Sequence, residues 1–279
     1  MIQASLFGPD PDAGSVKPAG DQPETMRVLI VVKAAPNPSQ AYGETVCVAA
    51  LRLDLEHQGW IRLYPINFRE LDQPNKFRKY DIVSLRARPA RADPRYESWR
   101  PVITSVTTVG HLDGWRRRRR WIDDYLGDTA CGLLAQVRQA PPARSLGAVR
   151  AKDVDDLIIE RHPGWSAEEQ AKIDAYVSQL DLLDHAPRTA LQAPRFKAWY
   201  RYRCEARSCP GHRQGLLDWE FVAHQRKLTD RTDAEAASEL RNRWLGQMCA
   251  ADRETVLFVG NQAKRQHVFS VLGLFYPRR

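Results

Sequence analysis

From Met26 onward the apolar residues come in short runs: RVLIVVKA, ETVCVAALRL, GWIRLYPI, KYDIVSLRARP and RPVITSVTTV. Each is rich in β-branched or aromatic residues and is punctuated by Pro, Gly or Asn, the pattern of strands separated by turns. Five short strands at this spacing predict a small, strongly curved sheet or barrel over residues 26–110. The chain has 279 residues, 43% of them hydrophobic, enough for one large or two modest cores.

The texture changes after residue 110. GWRRRRRWIDDYLGDTACGLLAQVRQ places Trp121, Ile122, Tyr125, Leu126, Leu133, Leu134 and Val137 along one face of a helix interrupted near Gly127 or Gly132. PPARSLG breaks it, and Ser166 with Glu169 forms a capping box ahead of Ile173, Tyr176, Val177, Leu180 and Leu183 at helical spacing. The last segment reads as strand (FKAWYRYRC), turn, strand (LLDWEFVAH), helix (TDAEAASELRNRWLGQMCA) and two strands (TVLFVG, VFSVLGLFYP). The expected class is α+β: a β-sheet or barrel (26–110), a helical connector (111–194) and a C-terminal ββαββ unit (195–279) with a possible zinc knuckle.

Charge is unevenly spread. Residues 26–140 carry 19 basic against 12 acidic side chains and residues 195–279 carry 16 against 9, whereas 141–194 carry 6 against 9. Two basic regions flanking an acidic connector suit a polyanion gripped at two places, with DNA as the expected partner. No run of about 18 apolar residues occurs, so no membrane partner is expected. Residues 1–25 lack the basic and apolar regions of a secretory signal, which points to the cytoplasm. Five cysteines, Cys47, Cys131, Cys204, Cys209 and Cys249, form no even disulfide framework and are expected as reduced thiols or metal ligands.

Residues 1–25 read as an arm. GPDPDAGSVKPAGDQPET is too rich in Pro, Gly and Asp to offset the entropy of ordering itself, yet it follows an adjacent Leu6 and Phe7. Gln3, Ser5, Leu6 and Phe7 resemble the peptide that bacterial replication and repair proteins insert into the sliding clamp, Gln, any residue, Ser or Asp, Leu, Phe. Ala4 stands where Leu is common. The resemblance implies that Leu6 and Phe7 fill an apolar pocket on the clamp while the Gln3 amide satisfies polar groups at its rim. The polar stretch after them would let the body reach along DNA.

CEARSCPGH brings Cys204, Cys209 and His212 to one turn, with Pro210 and Gly211 shaping it, a spacing suited to a zinc knuckle. A closed site needs a fourth ligand. If Leu216 to His224 is extended, His224 lies roughly 26 Å from the turn and is excluded. Asp218, Cys47, Cys131, Cys249 or water remain.

In LLDWEFVAH, read as a strand, Asp218 and Glu220 share one face and could hold Mg²⁺ or Mn²⁺ beside a phosphodiester. This resembles, loosely, the acidic strand of the restriction-endonuclease-like nucleases, and implies a metal-dependent nuclease with Asp218 and Glu220 as catalytic carboxylates. Val222 stands where the lysine of those enzymes follows the Glu, and Lys227 lies beyond the strand. Pairing of the carboxylates with Arg201 or Arg203 across the hairpin is the simpler expectation.

Five consecutive arginines, Arg116, Arg117, Arg118, Arg119 and Arg120, sweep more than one helical turn and cannot form a single stripe. Some must pair with Asp113, Asp123 or Asp124 or turn inward; the rest could grip phosphates beside Trp115 and Trp121. On WYRYRC, Tyr200 and Tyr202 project from one strand face and Arg201 and Arg203 from the other, a usable nucleic-acid platform. Lys264 and Arg265 mark a candidate phosphate-contacting loop. The combined expectation is a DNA-associated protein recruited to the clamp, acting in replication, repair or defence against foreign DNA through sequence-independent binding. The alternatives are the nuclease above and a protein-interaction adaptor without nucleic acid.

Overall fold

In the computed structural model, which describes residues 17–279 except 19, 42, 55–58, 70, 73–74, 140–142 and 179–187, the five apolar runs become strands of one closed sheet. Gln3, Ser5, Leu6 and Phe7 lie outside the described residues. The strands are β1 (Glu24–Lys33), β2 (Asn37–Ser39), β3 (Gly43–Arg52), β4 (Gly59–Ile66), β5 (Asp81–Pro89) and β6 (Ser98–His111). Order runs β1-β5-β6-β4-β3, and β3 returns to β1 with Val28 opposite Arg52, which closes a five-stranded barrel; the short β2 extends β3. Closure removes the exposed edges that an open sheet of this size would carry.

The uninterrupted VLIVV of β1 follows from burial on two sides. Met26, Val28 and Ile30 point into the barrel, and Leu29, Val31 and Val32 point outward into a second core shared with the C-terminal lobe. A strand covered on both faces loses the apolar/polar alternation of a half-exposed one. VLFV in β10 (Val256–Gln262) behaves alike: Leu257 and Val259 face one core, Val256 and Phe258 the other.

The second lobe comprises α1 (Gly114–Ile122), α2 (Ala130–Gln139), β7 (Leu146–Arg161), α3 (Ala167–Val177), β8 (Phe196–Cys204), β9 (His212–Gly215), α4 (Trp219–Gln225), α5 (Asp233–Arg241), β10 and β11 (Arg265–Phe275). Its sheet is antiparallel in the order β11-β10-β7-β8-β9. The capping box of Ser166 and Glu169 opens α3 as expected, and a second, Thr232 with Glu235, opens α5. Among the described residues no helix is long and apolar enough to cross a membrane.

Two elements differ from the sequence-based expectation. Residues 146–161, expected within a helical connector, form the 16-residue central strand β7. Bulges between Ala151 and Asp153 and between Val154 and Asp156 shift its inside/outside phase twice, so the period-two pattern is broken although the strand continues. LLDWEFVAH, expected as a strand, instead becomes helix α4. Asp218 is its N-cap and accepts the Glu220 backbone N–H at 2.6 Å.

The lobes are clasped by a buried polar network as well as by the shared core. The Glu97 carboxylate, 2% exposed, accepts Ser145 N–H at 2.6 Å, Ser145 O–H at 3.0 Å and Leu146 N–H at 3.3 Å. Arg62 donates to the Ser145 carbonyl at 3.0 Å from the barrel side. Glu97→Ala orphans these donors and is expected to lower unfolding free energy in urea by about 2–3 kcal/mol, with Glu97→Gln recovering part of it. An alanine variant within about 0.5 kcal/mol of wild type would show that the clasp is dispensable.

Candidate metal centre

The knuckle gains its fourth ligand from a distant helix. Cys204 ends β8, Cys209 sits in the turn, His212 begins β9, and Cys131 is the second residue of α2. One ligand atom from each lies within 4.8 Å of all the others. Cys204 Sγ is 3.5 Å from Cys209 Sγ and 3.7 Å from Cys131 Sγ. His212 Nε2 is 3.2 Å from Cys209 Sγ, 3.4 Å from Cys204 Sγ and 3.5 Å from Cys131 Sγ.

These spacings can be tested against a metal. Thiolates about 2.3 Å and an imidazole nitrogen about 2.0–2.1 Å from one tetrahedral centre stand about 3.8 Å (S to S) and about 3.5 Å (S to N) apart. These five edges match to within a few tenths of an ångström, and the sixth, Cys131 Sγ to Cys209 Sγ, lies within 4.8 Å. A disulfide needs its sulfurs about 2.0 Å apart, and all five cysteines are free thiols. The cluster can therefore hold a metal ion, with four protein ligands and no vacant coordination position.

The local sequence explains the shape. Gly211 adopts φ of 91°, a left-handed conformation that lets the chain double back between Cys209 and His212. Burial works to raise the Cys209 thiol, but N–H groups of Gly211 and Cys204 point at its sulfur and hold it below the usual thiol value. Burial also keeps the His212 imidazole neutral, leaving a lone pair at Nε2. Cys131 lies in the first turn of α2, where unpaired backbone N–H groups favour a thiolate. Its thiol is raised, by burial and then by the neighbouring Cys204.

The other candidate residues are dispersed. Tyr200 and Tyr202 are 0% and 1% exposed; their hydroxyls donate to Trp244 O at 2.6 Å and Gln214 Oε1 at 2.8 Å. They are core residues and cannot stack on bases. Arg201 and Arg203 do occupy the opposite, exposed face, but lie in register with Asp156 and Asp153 of β7. Lys264 lies in the tight turn between β10 and β11, and Arg265, opposite Gln262, begins β11.

Asp218 and Glu220 lose the shared strand face on which the divalent-ion expectation rested. Asp218 is buried at a helix N-terminus, and Glu220 faces Lys79, whose Nζ is 3.9 Å from Glu220 Oε2 and donates to Leu274 O at 2.8 Å. A Cβ at Gly273 would stand 3.4 Å from Lys79 Nζ and 3.5 Å from Asp218 Oδ2, so ammonium and carboxylate both abut Gly273. Lys33 approaches from β1, its ammonium 3.9 Å from the Phe68 ring centre and 5.0 Å from that of Trp219. The acidic pair thus meets lysines of the barrel lobe, partners that the linear sequence does not reveal.

The arginine run is helical and divides as steric sweep requires. Arg118 lies over the Tyr80 ring at 3.8 Å and donates to Leu112 O at 2.9 Å. Arg119 pairs with Glu254 and, at 3.5 Å, with Asp123. Arg116, Arg117 and Arg120 are exposed and have no hydrogen-bond or ion-pair partner among the described residues. Trp115 meets Tyr276 and Phe275 edge-on at 4.8 Å and 5.4 Å.

Two family models match the chain: Domain of unknown function (DUF8758) over residues 24–124 and Domain of unknown function (DUF8757) over residues 126–279. The first spans the barrel with α1, and the second contains all four residues of the Cys₃His cluster. No curated protein matches the chain.

Proposed function

We propose that this chain, which belongs to the Domain of unknown function (DUF8757) family, is a DNA-associated protein recruited to the sliding clamp through Gln3, Ser5, Leu6 and Phe7. It acts in DNA replication, repair or defence against foreign DNA, and it binds the nucleic-acid backbone without sequence preference. The observation that carries the binding surface is the uncommitted set of Arg116, Arg117 and Arg120 on α1, exposed side by side with no internal counter-charge among the described residues. Lys264 and Arg265 at the β10–β11 turn supply a second point of contact. Three arginine–phosphate contacts give an expected fall in binding constant of about three decades per decade of salt.

Zinc is the ion proposed for the Cys₃His cluster. Three thiolates and one imidazole are soft to borderline donors in a tetrahedral set, which favours zinc over the oxygen-seeking Mg²⁺ and Ca²⁺. With no vacant position the ion has a structural role, tying α2 to the β8–β9 hairpin.

A pull-down on immobilised sliding clamp, paired with DNA titrations at low salt, tests the reading. Deleting residues 1–8 is expected to abolish capture by the clamp while leaving DNA affinity within about twofold, because the arm and the arginines act separately. Equal capture of the truncated protein would remove the clamp from the proposal. Absence of DNA binding at low salt, with a protein partner co-purifying, would favour the adaptor alternative.

A further inference from the structure

Two of the uncommitted arginines of α1, Arg116 and Arg120, border an open cleft. With Trp115, Arg119 and Asp123 they form one wall of its volume of about 700 Å³, and the opposite wall is Arg253, Pro277 and Arg278. The far wall is pinned by backbone bonds, Glu254 N–H to Pro277 O and Arg279 N–H to Asp252 O, each 2.9 Å, which set Arg253 and Arg278 opposite one another in an antiparallel bridge. Like charges placed directly across such a bridge repel. Their nearest carboxylate, Asp252, stays 3.8 Å from Arg253 and 3.7 Å from Arg278, too far for a close ion pair.

The charge balance states what is missing. Five arginines line the cleft, Arg116, Arg119, Arg120, Arg253 and Arg278; Asp123 and Glu254 serve Arg119, Glu254 also holds Arg150 at 2.8 Å, and Asp252 serves the far wall. With Arg150 counted, six guanidinium groups meet three carboxylates and a positive excess remains. An internal phosphodiester carries one negative charge, whereas a phosphomonoester carries about −1.5 to −2 at neutral pH and offers three acceptor oxygens to planar guanidinium groups. The half-buried Trp115 indole adds apolar surface where a sugar or base can rest. The volume suits one or two nucleotides and is too small for a duplex.

We infer that the cleft between α1 and residues 252–278 binds a phosphomonoester carried on a nucleoside, supplied by the phosphorylated end of a nucleic-acid strand or by a free nucleotide. The inference rests on the nucleic-acid reading above and narrows it, assigning Arg253 and Arg278, residues outside the arginine run, to the same site as Arg116 and Arg120.

Full-length protein is titrated with single-stranded ten-mers of one sequence carrying a 5′-phosphate, a 3′-phosphate or neither, and with dAMP as competitor. A phosphorylated end is expected to bind about tenfold tighter or more than the unmodified strand, the scale of one bidentate charge-assisted contact. Arg116→Glu and Arg278→Glu, both exposed and expected to melt as wild type does, should each erase that preference, while Arg88→Glu, on the exposed face of barrel strand β5, keeps it. Competition by dAMP at concentrations matching the phosphorylated ten-mer supports the site and identifies free nucleotide as its source; weak competition supports it and identifies strand ends. Equal affinity for phosphorylated and unmodified strands, or a preference that survives both glutamate variants, overturns the inference and leaves general DNA binding standing. Binding of none of the strands at low salt removes the nucleic-acid reading itself.

Discussion

Cys204→Ser is expected to purify with no stoichiometric zinc, against one zinc per chain in wild type, and to melt about 6–24 °C lower. Cys204 is the deepest of the four ligands, 1% exposed at the end of β8, and its sulfur is bonded in space to Cys131, 73 residues away in the chain. A structural zinc can supply about 10–16 kcal/mol to a peptide that is unfolded without it. This lobe has a core of its own around Tyr200, Phe221, Trp244 and Val271, so a fraction is at stake, roughly 3–6 kcal/mol. For a chain of this size each kcal/mol moves the midpoint by about 2–4 °C. Cys249→Ala, at a buried thiol outside the cluster whose value burial raises to about 12, should keep its zinc. Elemental analysis of protein purified without chelator, and melting curves with and without chelator, decide it: metal-free protein, or a midpoint that chelation does not move, ends the proposal for this centre.

How the fourth ligand was hidden shows what a linear reading of this chain can and cannot reach. Cys204, Cys209 and His212 are legible because a turn brings neighbours together, and the spacing carries the chemistry by itself. Cys131 stood among several thiols and carboxylates with nothing local to select it. It reaches the knuckle because α2 packs against the sheet through Ala130, Leu133 and Val137, a tertiary fact. The exclusion of His224 rests on an extended Leu216–His224, where the chain instead forms helix α4. It holds nonetheless, since His224 on α4 receives the Trp244 indole N–H at 3.2 Å and is not in the cluster.

The barrel strands could be read from their β-branched runs, although their pairings also shift register near Ile30, Val46, Ile82 and Ser84, because the runs stay rich in apolar residues through the shifts. β7 could not, because two bulges reset its alternation and its exposed middle, Lys152, Asp153 and Asp155, reads as polar. α4 was mistaken for a strand for a related reason. Over seven residues, Trp219, Phe221, Val222 and Gln225 fit a short helix face, yet Trp219 and Phe221 alone also fit period two. The signal that separates the two is Asp218 as an N-cap, its side chain already satisfied by the Glu220 N–H. Strand alternation places Tyr200 and Tyr202 together on one face, as β8 does. What alternation leaves open is which face is the inner one, and the helices α4 and α5, packed on that side through Phe221 and Leu240, decide it.

The reassignment of Asp218 from metal ligand to buried cap carries the second large expectation. Burial pushes its carboxyl up to about 7, against the pull of Lys79, from an ordinary value of 3.8. Below about pH 4 the group is protonated in folded and unfolded chains alike and its contribution is fully present. Between about pH 4 and 7 the unfolded chain ionises while the folded one does not, so stability falls as pH rises, and above about 7 the loss is complete. The whole step is on the order of 3–4 kcal/mol. Asp218→Asn keeps an oxygen for the Glu220 N–H and cannot ionise, so the cap survives and the step should vanish. Urea unfolding of both proteins at intervals from pH 4.5 to 8 gives the difference directly, with histidines, other carboxylates and the metal centre common to both. The variant should gain on wild type steadily through that window; parallel curves, or a wild type that gains on the variant, would mean that Lys79 and Lys33 hold Asp218 ionised throughout and that the cluster at the lobe interface is an ion-paired one.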